Sequence, residues 1–210
     1  MKRSVLVLLL AATAALVRPA AAQVWGQYTS AETVPVNGHM FGGYLHASSN
    51  FLGLLAQLRL SFYPNLDFGF QGGLTRISTE GGNDVTSLRI GTDLKALVAH
   101  TPRLDWALGG ALGIETGDNL HVLTVGPTVV ASHSFGNASG GGVTPYAGAG
   151  LLFSNVEIGD RSFTDFSMPF RLGAEFRLAP EVRLCAEFQL RASDEVNDDF
   201  GLVTGVNLPF

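Results

Sequence analysis

The chain has 210 residues, and only 15% of them are charged, well below the roughly 25% of an average soluble domain. Its formal net charge of −5 argues against a protein that binds nucleic acid, which needs a basic surface. The single cysteine, Cys185, excludes an internal disulfide.

The first 22 residues have the pattern of a secretory signal peptide. Residues 1–3 (MKR) are positively charged, an apolar run follows over residues 4–17, and residues 20–22 (AAA) are the small residues of a cleavage site. The apolar run is shorter than the ~18 residues that a membrane-spanning helix needs. We therefore expect the chain to be exported and cleaved after Ala22.

From residue 38 onward, apolar and polar residues alternate, which is the period of a β-strand. A weak segment over about residues 38–48 comes first, and clearer ones follow at 52–62, 66–75, 87–98, 104–115, 123–132, 168–178, 182–191 and 199–210. A further segment at 143–154 is rich in Gly and Ala, and its inward face is ambiguous. These segments predict ten antiparallel strands, or eight if the first pair is misread.

Two kinds of β-protein share this alternation, a soluble β-sandwich or lipocalin-like barrel and a transmembrane barrel. The predicted strands are about nine to twelve residues long, whereas ~5–6 is usual in soluble proteins and ~9–11 spans a bilayer. Nearly every strand has an uninterrupted apolar face, with charges of both signs on the opposite face. The pattern therefore predicts an all-β fold, a transmembrane antiparallel up-and-down β-barrel closed on itself.

The stretches between the predicted strands are of two kinds. Tight turns are predicted at residues 63–65, 100–103 and 179–181, and a longer connection at 135–142. Loops are predicted at 78–86, 116–121, 154–167 and 193–199. Short and long connections alternate, so the turns lie at one end of the barrel and the loops at the other. An even strand number puts both chain termini at the turn end.

The last strand ends the chain on an aromatic residue. Its apolar face is formed by Phe200, Leu202, Thr204, Val206, Leu208 and Phe210. This strand resembles the C-terminal signal of bacterial outer-membrane β-barrel proteins, and the chain as a whole resembles the small opacity-like and OmpA-like barrels. Pro209 departs from the common pattern, because it lacks one donor for the strand ladder.

The resemblance implies a location, a domain organisation and partners. The chain would comprise a signal peptide (1–22), a periplasmic N-terminal segment (23–37) and an outer-membrane β-barrel (38–210). Its partners would be outer-membrane lipid and lipopolysaccharide, and the barrel-assembly machinery would read the C-terminal residues Phe200, Leu202, Val206, Leu208 and Phe210. We expect a monomer with no cofactor, no bound metal and no nucleic-acid partner.

Charges on the polar strand faces are expected to pair inside the barrel. A hairpin joined by the tight turn at 179–181 carries six of them, which form a predicted charge network in the lumen: Arg171, Glu175, Arg177, Arg183, Glu187 and Arg191. A barrel of this size is about narrow enough for its side chains to fill. We therefore interpret the network as a set of paired side chains that blocks the lumen and fixes the strand register. The alternative is a charged constriction in a narrow pore.

Three functions follow from this fold. We favour a structural or surface-interaction role without catalysis, so the chain is predicted not to be an enzyme. The alternative is a narrow porin-like channel for small solutes. A third, weaker hypothesis is a lipid hydrolase, because His46-Ala47-Ser48 resembles the His-x-Ser pair of the lipid A deacylases, although no acidic partner is identifiable and the family's pair lies later in the chain.

Overall fold

The computed structural model of the protein describes residues 27–48, 51–78, 84–136, 141–193 and 199–210. The regular structure of these residues is β-strand throughout. In the described part of the chain, no helix has the length and apolar character needed to cross a membrane.

The described residues form ten barrel strands, as predicted from the alternation. Nine of them are β1 (His39–Ser48), β2 (Phe51–Tyr63), β3 (Leu66–Ile77), β4 (Val85–His100), β5 (Asp105–Gly117), β6 (Leu120–Ser132), β8 (Arg161–Ala179), β9 (Val182–Ser193) and β10 (Asp199–Pro209). The remaining one, β7, has two segments, Gly142–Gly150 and Leu152–Ile158. They are separated at Leu151, whose backbone N–H still donates to the carbonyl of Pro127 on β6.

The strands pair antiparallel in sequence order, and the last strand pairs with the first. Met40 lies opposite Pro209 at one end of this seam and Ser48 lies opposite Gly201 at the other. The backbone groups of His39 and Phe210 exchange two hydrogen bonds of 2.9 and 3.0 Å, so the seam continues past Pro209. The barrel is therefore closed, and its closure removes the free edges that an open sheet would expose.

The two faces of the strands have the predicted polarity. The outward side chains are apolar and exposed; they include Leu54, Ile90, Leu108, Leu172 and Phe200. The inward side chains are buried and largely polar; they include Gln57, Arg59, Asp93, Glu115 and Glu187. A soluble barrel buries its apolar face, so this arrangement identifies a barrel that faces lipid and confirms the transmembrane fold class.

The prediction of a loop at residues 154–167 is wrong. Residues 152–158 and 161–167 pair as a hairpin that extends β7 and β8, with Ser154 opposite Asp165 and a tight turn at Gly159 and Asp160. Gly159 has a positive φ of 57°, which glycine adopts without steric cost. The alternation of inward Leu152, Ser154 and Val156 continues through the stretch, and this signal outweighs its polar composition.

The loop predicted at residues 116–121 is likewise a tight turn, because β5 and β6 run on to residues 117 and 120. Asn119 adopts a positive φ of 57° in this turn, a conformation that asparagine tolerates better than most residues do. The loops predicted at 78–86 and 193–199 fall largely outside the described residues. At the end of the barrel where long outside loops were predicted, the connections that the structure describes are therefore short.

The N-terminal segment lies where the sequence did not place it. Residues 27–34, interpreted above as periplasmic, lie inside the barrel, and Tyr28, Ser30 and Ala31 are all buried. The chain then turns back into β1 at Asn37, where φ is 61°. The segment is not a regular strand, so its sequence has no period that could indicate burial. Residues 1–26, including the predicted cleavage site, lie outside the described part.

Candidate functional site in the barrel lumen

Residues Gln27–Val34, here called the plug, fill the lumen near the end of the barrel where β1 begins and β10 ends. We call this the terminal end and the opposite one the distal end. The plug is held mainly by hydrogen bonds from Lys95 of β4, a fully buried cation. Its Nζ donates to three plug oxygens, Thr29 Oγ1 and the carbonyls of Ser30 and Glu32, at 2.9, 2.9 and 2.6 Å.

Side chains from other strands hold the plug backbone. Asp67 of β3 accepts from the Val34 N–H at 3.1 Å, and Ser132 of β6 accepts from the Ala31 N–H at 3.1 Å. Asn207 of β10 donates to the Tyr28 carbonyl at 3.1 Å and to Glu175 of β8 at 3.1 Å. The plug is an irregular segment, and these bonds replace the ladder partners that its buried backbone would otherwise lack.

A second cluster of charges lies beside the plug, on β2, β3 and β4. The guanidinium of Arg59 donates to Asp67 at 3.2 Å and to Asp93 at 2.7 Å, and all three side chains are fully buried. Lys95 lies 3.7 Å from Asp67 and balances the second carboxylate. The predicted network did not include this cluster, although its members share the inward face of adjacent strands and could have been found by that signal.

The six residues of the predicted network all lie on inward positions of β8 and β9, and two pairs form within the set. Arg171 Nη1 lies 3.7 Å from Glu187 Oε2, and Arg183 Nη1 lies 3.6 Å from Glu175 Oε2. Glu187 also accepts from the Tyr146 hydroxyl at 2.8 Å. These bonds link the neighbouring strands β7, β8 and β9 on the lumen side of the sheet.

The other two arginines pair outside the predicted set. Arg191 donates to Asp165 of β8 at 3.1 Å, and Arg177 lies 3.7 Å from Glu32 of the plug. Arg183 also donates to Glu32, at 3.4 Å. Glu32 was missed because it belongs to a segment without strand periodicity, and only the folded chain brings it to the β8–β9 hairpin.

The distal half of the lumen is lined by buried apolar side chains as well as polar ones. Its apolar members include Phe51, Ile77, Leu120, Val122 and Val156, with Phe163 packed against them. Glu115 accepts hydrogen bonds from Thr75 and Ser87 in the same half. The barrel is therefore filled by the plug at one end and by strand side chains at the other.

A cavity of about 20 Å³ remains between the plug and the strands. It is lined in part by Gln27, Gln71, Asp93, Thr128 and Arg171. This volume accommodates a single water molecule, which polar lining groups of this kind can hydrogen-bond.

The geometry gives the hydrolase hypothesis no support. His46 lies on the inward face of β1, 1% exposed, with its ring 4.7 Å from that of Phe51, and Ser48 lies on the same face. Neither ring nitrogen of His46 has a hydrogen-bond partner among the described residues. The pair thus points away from lipid, and no acid among the described residues orients the imidazole.

The described residues contain no cluster of three or more His, Cys, Asp or Glu side chains placed to hold a metal ion. The residues of the predicted C-terminal signal lie on the lipid-facing side of β10. Phe200 and Phe210 are 58% and 73% exposed, and the Phe210 ring stacks on His39 at 5.4 Å. These side chains are accessible from outside the barrel.

No protein-family model matches the sequence, and no curated protein matches it. Several solved structures are similar in fold. The COG4313 outer membrane channel from Pseudomonas putida F1 is 10% identical, with a TM-score of 0.57 over 90% of this chain and 100% of that one. The beta domain of the Bordetella autotransporter BrkA is 11% identical, with a TM-score of 0.55 over 83% and 100%.

A bacterial polysaccharide outer membrane secretin is 12% identical, with a TM-score of 0.50 over 82% of this chain and 69% of that one. At such low identities the similarity concerns the fold alone. The closed antiparallel barrel with its apolar outer face is the fold of the bacterial outer-membrane β-barrels.

Proposed function

We propose that the protein is a monomeric, non-catalytic barrel of the bacterial outer membrane, with its terminal end in the periplasm and its lumen closed by its own N-terminal segment. Its role is then structural or one of surface interaction. The observation that carries this proposal is the set of bonds that hold the plug, which come from β3, β4, β6, β8, β9 and β10.

The chemistry of these bonds favours a lumen that stays closed. The ammonium of Lys95 has three plug oxygens as acceptors, and a buried cation that loses its partners is strongly unfavourable. Withdrawal of the plug would also leave Asn207 and Ser132 without their plug partners. Each hydrogen bond contributes about 1 kcal/mol, and those to charged groups contribute more.

A narrow channel for small solutes is the second candidate. It is favoured by the nature of the plug, which is held by side-chain bonds and belongs to no strand, so its withdrawal would leave the closed barrel ladder intact. The proteins of similar fold include one described as an outer membrane channel. Charged side chains would line the opened path.

Single-channel conductance in a planar bilayer separates these two functions. We expect the full mature chain, refolded and shown to be folded by its β-sheet circular dichroism, to stay silent. Steady openings that change size after Arg183→Gln would instead establish a channel, because that substitution neutralises a charge in the lumen.

We also infer that the last strand is read by the barrel-assembly machinery. The support for this proposal is the exposed apolar face of β10, ending in Phe210, together with the resemblance of its residues to the outer-membrane signal. Outer-membrane lipid and lipopolysaccharide would then surround the apolar outer face.

A further inference from the structure

Two arginines of the β8–β9 hairpin lie directly opposite each other. Arg177 and Arg183 are cross-strand partners at the terminal end, next to the tight turn at residues 180–181, and both occupy inward positions. Like charges that are directly opposed across two strands repel each other. This arrangement therefore calls for an anion between them.

In the plugged barrel the anion is the carboxylate of Glu32, the one charged residue of the plug sequence QYTSAETV. Its Oε2 lies 3.4 Å from Arg183 Nη1 and 3.7 Å from Arg177 Nη2, and its Oε1 accepts from the Ser134 hydroxyl. The two contacts to arginine are long compared with the 2.7–2.9 Å of a good charged hydrogen bond. The Nε of Arg183 has no hydrogen-bond partner among the described residues.

Without Glu32, the charged side chains around this position would carry one unbalanced positive charge. Glu175 lies 3.6 Å from Arg183 and balances one of the two arginines. Lys95, which donates to the carbonyl of Glu32, has Asp67 as its own carboxylate partner. The side chains of Glu32, Arg177 and Arg183 are 29%, 23% and 21% exposed, so solutes can reach them from the terminal end.

We propose that Arg177 and Arg183, with the Ser134 hydroxyl, form a binding site for a small carboxylate anion, and that Glu32 is the internal ligand of this site. The proposal rests on the proposed function only in placing the terminal end in the periplasm, where the anion would come from. A bound carboxylate takes the place of Glu32, and the plug then loses its only ionic contact with the β8–β9 hairpin.

Rescue of a Glu32→Ala variant by acetate tests the site. The substitution removes the carboxylate but keeps the plug bonds that involve Lys95, Asp67 and Ser132. At constant ionic strength, acetate should raise the ratio of folded to unfolded Glu32→Ala protein about tenfold, relative to chloride, when its concentration is ten times its Kd. Urea titration in lipid vesicles measures this ratio. Wild-type protein should respond less, because Glu32 competes with acetate.

The matched control is the double variant Glu32→Ala/Arg183→Gln, which keeps the space but loses one arginine. Equal effects of acetate and chloride on a folded Glu32→Ala protein would overturn the proposal, and so would undiminished acetate rescue in the double variant. Failure of the plugged-barrel function is distinguishable, because it appears as steady conductance of the wild-type chain whatever the outcome of the rescue.

A measurement on the wild-type chain covers the case in which Glu32→Ala does not fold. Cys185 is the single cysteine of the chain, is 3% exposed, and packs in one buried cluster with Tyr28 of the plug. Acetate should accelerate its labelling by a small thiol reagent relative to chloride, because displacement of Glu32 loosens the plug. A labelling rate that acetate leaves unchanged contradicts the proposal.

Discussion

At the scale of single residues, the lumen contains charges whose partners belong to distant parts of the chain. Lys95 is the clearest example, because its three hydrogen-bond acceptors lie on the plug. Its ion-pair partner, Asp67, also accepts a hydrogen bond from the plug backbone. One strand residue thereby controls how firmly an irregular segment is held.

Replacing Lys95 with methionine should release the plug while leaving the strands in place. Charged hydrogen bonds contribute roughly 1.5–3 kcal/mol, so we expect a Lys95→Met variant to expose Cys185 about 10- to 100-fold more often. The rate of thiol labelling in refolded, vesicle-embedded protein measures this exposure.

The control is Arg76→Gln at the distal end. Arg76 is 64% exposed and pairs with Asp84, and its hydrogen bond lowers the pKa of the Asp84 carboxyl below its usual value. Surface pairs of this kind contribute little to stability, so the labelling rate should stay at the wild-type value. A Lys95→Met variant that labels as slowly as Arg76→Gln would show that Lys95 does not retain the plug.

At the scale of strands, close contacts between neighbours constrain where side chains fit. The interruption of β7 at Leu151 packs on Gly126 of β6, where an added Cβ would lie 1.9 Å from the Leu151 carbonyl oxygen. By contrast, an added Cβ at Gly43 of β1 would meet nothing within 4 Å. An alanine substitution is therefore expected to destabilise the barrel at Gly126 and to be tolerated at Gly43.

A Gly126→Ala variant should lower the free energy of unfolding by about 1–3 kcal/mol, because the backbone of β7 has to move to relieve the overlap. Gly43→Ala should leave it nearly unchanged. Urea unfolding of both variants in the same lipid vesicles gives the comparison, and equal stabilities would mean that the β7 interruption adjusts without cost.

The end of β10 should matter for assembly more than for stability. Phe210 is 73% exposed on the lipid side, so Phe210→Ser removes little packing inside the barrel. We expect this variant to refold in detergent like the wild type but to reach the outer membrane of cells several-fold less well. Cell fractionation measures the second quantity.

Phe62→Ser, at an outward and 57% exposed position on β2, is the matched control, and it should assemble normally. Equal membrane yields for Phe210→Ser and Phe62→Ser would count against recognition of the last strand.

At the scale of the whole molecule, the outer face behaves as a surface for lipid. Leu112 lies on the outward face near the middle of β5, whereas Leu178 lies on the outward face at the terminal end of β8. The free-energy cost of placing a charge against lipid depends on its depth in the bilayer.

We expect Leu112→Arg to reduce the free energy of unfolding by about 2–4 kcal/mol and Leu178→Arg by about 0–1 kcal/mol. Reversible unfolding in phospholipid vesicles measures both values. A difference of the opposite sign would mean that the membrane does not surround the barrel at the height of Leu112.

The sequence by itself determined the fold class, the position of most strands and the polarity of their faces, whereas it left ten and eight strands as alternatives. The period of two residues is a local property, so it can be followed along every strand, and it would also have identified the 154–167 hairpin through Leu152, Ser154 and Val156. The inward position of Arg171, Glu187 and Arg191 follows from the same period.

Only the tertiary structure decided what fills the lumen. Asn207 and Tyr28, for example, are 179 positions apart in the chain and meet through a single hydrogen bond. Glu32 reaches Arg177 and Arg183 only because an aperiodic segment enters a barrel that ten strands have closed. Alternation specifies which way a side chain points, whereas its partner is chosen by closure and by the need of each buried charge for a counter-charge.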